Sequence, residues 1–262
     1  MRRTIPLALV ALALAGPSRA ADNEWTGFYV GLHAGQEDGD GRANAVMGGL
    51  WAGDAAAPSL AQALSSGGDA SGTSAGVQFG YDHQFNSGWV LGLELDYQRP
   101  GVDESTTTVV SGINIGSATQ FADLSATTRT RVDAAYSLRP KLGFATGKVL
   151  WYVTAGYSRR SVDVGSAYTF NVPAFSSSFS KAGGTSGHAS GLAWGAGVDW
   201  RFAQRWSAGL RYTRNPEETF GYLPTTTARS GLYQLVATDD ATEAVTRKVG
   251  GDSLSLSINY RF

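Results

Sequence analysis

The chain has 262 residues, with 21 Lys and Arg against 22 Asp and Glu, so its formal charge is only −1. It holds no cysteine, which excludes disulfides, thiolate metal sites and a lipid anchor on Cys, and no basic block of the kind that binds nucleic acid. A content of 34 Gly beside 7 Trp, 11 Tyr and 11 Phe suits tight turns and aromatic girdles better than a helical core.

Residues 1–20 have the plan of a secretory signal peptide. Arg2 and Arg3 open it, Ile5 to Ala15 is apolar, Gly16 and Pro17 break the run, and Ser18 and Ala20 are small residues at −3 and −1 of a cut after Ala20. The apolar run is about half the ~20 residues of a spanning helix. Removal takes away Arg2, Arg3 and Arg19 and no acid, leaving 18 basic and 22 acidic residues and a net charge of −4. Glycines and charges interrupt every later apolar run, so a membrane-embedded chain of this kind has to span as a closed barrel.

From residue 25 onward the pattern is period two, the signature of strands with one oily and one wet face. Phe28, Val30, Leu32 and Ala34 alternate with Tyr29, Gly31, His33 and Gly35. Residues 36–72 read as a long loop, with a short helix around Ala55–Leu64. Ser74 to Phe85 and Trp89 to Gln98 form a hairpin about Asn86-Ser87-Gly88, with Trp89 and Tyr97 at opposite ends of its apolar face. Residues 99–127 read as a second loop, within which Thr107–Ile115 extends as a hairpin. Thr130 to Phe144 follows, interrupted at Pro140, which cannot donate a ladder hydrogen bond. Thr146-Gly147-Lys148 turns the chain into Val149 to Ser158. Residues 159–188 read as a third loop, in which Phe170, Phe175 and Phe179 offer either a contact point or packing onto the rim. Gly191 to Phe202, the turn Ala203-Gln204-Arg205 and Trp206 to Thr213 make the next hairpin. A fourth loop, 214–249, precedes Gly250–Phe262, whose last ten residues alternate without a break for about the ~9–11 residues a tilted strand needs to cross a bilayer.

Eight strands, three short turns and four long loops in strict alternation predict an all-β fold: an eight-stranded antiparallel up-and-down transmembrane β-barrel with long extracellular loops, occupying residues 21–262. Ten strands is the alternative, if a loop hairpin inserts. Large aromatics opposite glycines and charges place lipid outside and a narrow interior within, the reverse of a soluble ligand-carrying barrel.

Several stretches resemble the small porin-family (opacity-type) outer-membrane proteins of alphaproteobacteria. Trp25-Thr26-Gly27-Phe28-Tyr29-Val30-Gly31 is similar to their opening. Arg139 to Phe144 fits the family's basic strand, with Lys141 for its second Arg. Leu150, Tyr152, Ala155 and Gly156 fit the next strand, and Gly195 to Asp199 the one after. Arg211 stands where the family has a Glu. Phe262, after Ile258 and Tyr260, resembles the C-terminal signal of bacterial outer-membrane barrels, read by the barrel-assembly machinery. The resemblance implies a cell outer membrane location, contact with outer-membrane lipid and lipopolysaccharide, and no cofactor.

The inner faces collect Asp82, Glu94, Asp96, Arg131, Asp133, Arg139, Lys141, Asp199, Arg201, Arg211 and Arg261. These either line a narrow diffusion pore or form a salt-bridge network that fills the lumen, since eight strands enclose little more than side chains. His33, His83 and His188 are too scattered for a metal motif. Some eight-stranded barrels modify lipid A through His and Ser near the outer rim. Here His33 is the only starting point for that chemistry, and no acid and serine pair with it. The favoured expectation is a non-enzymatic envelope protein whose long loops meet an extracellular ligand.

Overall fold

A computed structural model describes residues 24–39, 42–66, 70–117 and 120–262. Eleven strand segments and one helix follow in order. They are β1 (Gly27–Gly39), β2 (Arg42–Gly49), α1 (Ala57–Ser65), β3 (Ala70–Gln84), β4 (Trp89–Pro100), β5 (Val102–Ser117), β6 (Gln120–Thr146), β7 (Val149–Val172), β8 (Ser177–Arg201), β9 (Trp206–Tyr222), β10 (Thr225–Ser230) and β11 (Ala241–Arg261). Antiparallel pairing runs β1-β3-β4-β6-β7-β8-β9-β11, and β11 returns to β1 from Tyr29 opposite Arg261 to Gly39 opposite Gly251. The ring is closed and has eight strands.

The three remaining segments are continuations of ring strands. β1 lies along β11 up to Gly251, and β2 resumes the same direction from Arg42 opposite Lys248 to Gly49 opposite Ala241. β5 takes over beside β6 where β4 stops, and β10 takes over beside β8 beyond β9. The eight-strand expectation is met, and the hairpin within 99–127 exists as β5 and β6.

Three of the four predicted long loops, 99–127, 159–188 and 214–249, are largely strand, which is the main correction to the sequence reading. β7 and β8 run far past their predicted ends and join only at residues 173–176. The extension of β7 beyond Tyr157 is 15 residues, roughly 50 Å along the strand and 35–40 Å along a barrel axis at the usual tilt. Two bulges made this hard to foresee. In β6 the register against β7 shifts between Val132 and Ala135, so Asp133 and Ala134 oppose a single residue and the faces exchange. In β9 the register against β11 shifts across Pro216 and Glu217, which together oppose Gly250. At Pro140 the expected interruption is present: the β6–β7 ladder skips two pairs, at Arg139 and Pro140, and the Thr154 hydroxyl donates to the Pro140 carbonyl at 2.9 Å.

The two halves of the barrel have opposite linings. From the short turns up to Tyr97, Tyr136, Tyr157 and Trp194, large apolar side chains point outward. Trp89 and Tyr97 are eight residues apart, roughly 20 Å along the axis, close to the ~25 Å apolar band of a spanning barrel. Above that level the apolar residues turn inward. Leu124, Ala126, Tyr168, Phe170, Phe179 and Val245 pack around Trp51 and the buried face of α1, Leu60 and Leu64. Phe170 and Phe179 therefore belong to the core, while Phe175 stays exposed.

The helix predicted at Ala55–Leu64 is α1. Pro58 occupies its first turn, where a missing N–H costs nothing. It closes a gap in the upper wall: β3 ends at Ala70, so β2 and β5 are left as facing edges. The Ala45 N–H on β2 donates to Ser65 Oγ at 3.0 Å, and on the other side Ser66 Oγ meets Thr108 Oγ1 at 2.8 Å and the Thr128 hydroxyl donates to the Ser66 carbonyl at 3.1 Å. Covering bare edges with a helix blocks edge-to-edge association. Leu60→Ala should cost the extension about 2–5 kcal/mol. Limited proteolysis should then cut it far faster, while the embedded barrel keeps its heat-modifiable mobility on gels.

Candidate functional site

The only concentration of chemistry among the described residues is the interior of the ring, which is built in layers from the turn end upward. Glycines at positive φ, Gly88 and Gly147, make the tight turns. Trp25 folds into the mouth between them: its backbone N–H donates to Gln84 Oε1 at 3.0 Å and its indole to the Gly147 carbonyl at 3.2 Å. It packs with Val90, Ala145, Leu150 and Tyr152. The guanidinium groups of Arg201 and Arg261 lie 5.7 and 5.6 Å from its ring centre.

Above this plug, three buried acids, Asp82, Glu94 and Asp96, meet four buried cations, Arg139, Lys141, Arg211 and Arg261, and a fourth buried acid, Asp199, lies among them without an ion pair to any described residue. Glu94 is the hub. It accepts from Arg139 at 3.1 Å, from Arg211, and from the Tyr29 hydroxyl at 2.8 Å. Lys141 donates to Tyr29 at 2.8 Å and stands 3.3 Å from Asp82, which also takes Arg261 at 2.8 Å. Asp96 is shared by His33 at 2.8 Å and by Arg211 and Arg139 at 3.4 and 3.8 Å. Arg211 also donates to Gln78 Oε1 at 3.1 Å, and Gln78 in turn donates to Asn259 at 2.6 Å. Equal numbers of opposite charges on facing strands let each offset the desolvation of another.

An apolar layer follows, made by Val132, Val162, Val164, Ala189, Phe220 and Val249. Near it Arg160 pairs with Glu37, which also accepts from Gln98 at 2.9 Å. Higher still, Glu243 takes Lys181 at 3.1 Å, the Tyr168 hydroxyl at 2.7 Å and the Trp51 indole. Burial, and then the adjoining Glu243 carboxylate, pushes the Tyr168 phenol well above its ordinary range, so it remains a donor.

Glu94, Asp96, Arg139, Lys141, Asp199, Arg211 and Arg261 all project into the lumen. Arg201 sits at the turn-end rim against Glu24 and the Gln204 carbonyl. Arg131 does not line the lumen. The bulge at Asp133 and Ala134 turns it onto the outer wall, where it pairs with Asp133 at 2.7 Å, and Asp133 is outside with it. Ile258 and Phe262 face outward, and Tyr260 lies 5.1 Å from Trp206. His33 is buried in the lumen, whereas His83 and His188 are on the outer wall. Sequence reasoning missed the Trp25 plug and the inward apolar layer. The signal for the layer was the even-numbered series Val162, Val164, Tyr168, Phe170 and Val172. Glu94→Gln should leave Arg139 and Arg211 short of an acid and cost about 3–5 kcal/mol, read as a lower urea midpoint of the refolded barrel. Arg131→Gln, on the solvated wall, should change that midpoint by less than about 1 kcal/mol.

Solved structures to which the chain is similar include Ail, the attachment invasion locus protein of Yersinia pestis, in complex with the heparin analogue sucrose octasulfate. It is 12% identical over 87% of this chain and 99% of that one, with a TM-score of 0.31. Neisserial surface protein A is 15% identical over 90% and 98%, with a TM-score of 0.28. The outer membrane protease OmpT of Escherichia coli is 8% identical over 94% and 99%, with a TM-score of 0.24. No curated protein matches the chain. The family model for the outer membrane protein beta-barrel domain matches residues 7–262, nearly the whole chain. With its closed eight-stranded ring and outward apolar belt, the chain belongs to that family of outer-membrane β-barrel proteins.

Proposed function

We propose that the protein is a non-enzymatic, non-conducting barrel of the small opacity-type group of alphaproteobacteria, serving envelope integrity and contact at the cell surface. The observation that carries this reading is the stacked filling of the lumen: the Trp25 plug, the Glu94-centred charge network, the valine and Phe220 layer and the α1-capped core. An eight-stranded interior is only as wide as the side chains that fill it. The position of His33, buried against Asp96 inside the ring, supports a structural role over acyl transfer. On this reading residues 1–20, outside the described residues, are the signal peptide cut after Ala20. Outer-membrane lipid and lipopolysaccharide surround the belt, and the upper barrel presents its outer face to an extracellular ligand.

Refolded protein in a planar bilayer should show no discrete ion steps. Reproducible steps that change with Arg139→Gln or Glu94→Gln would replace this reading with a narrow diffusion pore. We assign Ile258, Tyr260 and Phe262 as the strand read by the barrel-assembly machinery. Phe262→Ser should accordingly lower the heat-modifiable form in outer-membrane fractions several-fold, and normal levels of that variant would remove the assignment.

A further inference from the structure

At the loop-side edge of the apolar belt, the outer wall of β4, β6 and β7 carries a shallow groove. Leu95 and Leu138 form its floor, Tyr97, Tyr136 and Tyr157 its walls, and Arg159 its head. The register places Tyr97, Tyr136 and Arg159 in one row across three strands, with Leu95, Leu138 and Tyr157 in the row below. His188 stands one row above, opposite Ser161. The apolar floor is continuous with the belt that faces hydrocarbon.

The charge at the head of the groove is uncommitted. Other arginines on this wall are held by acids: Arg131 by Asp133 at 2.7 Å and Arg129 by Asp103 at 2.8 Å. Asp163, the remaining acid nearby, lies opposite Arg131 in the register. Among the described residues neither Arg159 nor Arg99 has an acid within ion-pair distance. Arg99 is two residues above Tyr97 on β4, so the two free guanidiniums are anchored roughly 12 Å apart, two interstrand spacings across and two residues up.

A guanidinium matches the planar, bidentate demand of a phosphate better than any other side chain. At this depth it sits where phenol rings mark the interface between hydrocarbon and headgroups. A soluble anion would gain nothing from the leucine floor, and an acyl chain alone would gain nothing from Arg159. We propose that this groove binds a phosphorylated, multiply acylated glycolipid of the outer leaflet, with a phosphate on Arg159, Arg99 as second cation, and an acyl chain along Leu95 and Leu138. The inference rests on the reading of the extended end as extracellular, and it names the lipid contact of that same wall.

The test uses the refolded full-length chain in non-ionic detergent, with binding read by native mass spectrometry. The probes are purified phosphorylated lipid A, the same lipid after enzymatic dephosphorylation, and a phosphorylated glucosamine without acyl chains. The phosphorylated lipid should bind at least about tenfold more tightly than the dephosphorylated one, as loss of a charge-assisted contact requires, and the acyl-free sugar should not bind. Arg159→Gln should weaken lipid binding about tenfold, and Arg131→Gln, whose charge is already paired, should not. Equal binding of the dephosphorylated lipid, or an unaltered Arg159→Gln, would overturn the proposal. Binding of the acyl-free sugar as tightly as the lipid would replace it with a soluble-anion site. A folded, non-conducting barrel that fails to bind the lipid removes only this groove, whereas a conducting barrel that binds it removes only the filled lumen.

Discussion

The structure depends on the pairing of its first strand with its last. Inside hydrocarbon there is no water to satisfy a backbone N–H or carbonyl, so a sheet with free edges cannot stay there. The pairing of β1 with β11, from Tyr29 opposite Arg261 to Gly39 opposite Gly251, abolishes both edges at once. Closure at eight strands then sets the bore, and the bore sets the chemistry. Glu94 and Arg139 are register partners on adjacent strands, and Arg211 reaches Glu94 from the far wall because the ring is narrow enough to span. A buried carboxylate with two guanidiniums and a phenol is tolerable only where all of them converge, and closure provides that.

The same strands then leave the lipid and must solve the opposite problem in water. β7 shows the change along one continuous run. Trp151, Val153 and Tyr157 point outward in the belt, while Val162, Val164, Tyr168, Phe170 and Val172 point inward above it. On β11, Leu254, Leu256 and Ile258 face out, and Val245 and Val249 face in. In β7 and β11 the backbone keeps its phase across the change of solvent, and the choice of residue changes. The upper barrel thus needs a core of its own, which Trp51, Leu60 and Leu64 complete, and it needs a cover for the edges that β3 leaves bare.

This reversal explains what could be read from the amino acids and what could not. In the belt, large apolar residues alternate with small or charged ones over spans of about ten residues, and strand existence, facing and turns followed directly. Beyond Tyr157 the apolar phase changes from odd to even positions. A reading that expects apolar residues outside sees only a loss of periodicity there and takes the segment for a loop. In β6 the phase change coincides with a bulge, so Val132 and Arg131 exchange faces without any Gly or Pro at the site. The Arg139 and Glu94 contact follows from hairpin register. The contacts of Arg211 with Glu94 and of His33 with Asp96 span the lumen or skip strands, and one-dimensional pattern does not carry that information. Trp25 precedes the alternating run, so the pattern gave it no face; its ring lies inside, against two guanidiniums and Tyr152.

A filled bore also limits how such a protein can act. Glu94, Asp96, Asp82 and their cations are engaged with one another, so a solute or a signal passing through would have to break several buried contacts together, each costly to leave unmade. The surfaces left are the outer ones, and they differ by height. In the belt, leucines and phenols meet lipid, with Arg99 and Arg159 at its edge. Above it, the wall is polar: Thr107 meets Thr127 at 2.9 Å, Thr169 meets Ser180 at 2.8 Å and Ser178 meets Ser230 at 2.8 Å. These hydroxyl pairs lie across strand ladders, β5 against β6, β7 against β8 and β10 against β8. A partner binding this wall has little ordering cost to overcome, and in weak surface contacts that cost decides affinity more than area does. Leu232 and Leu235, exposed at the turn between β10 and β11, add apolar surface to this end, as do Val109, Phe121, Phe175 and Leu223. An extended, internally packed barrel carries its outer surface away from the bilayer by its own height, and the inverted lining makes such a height attainable in water.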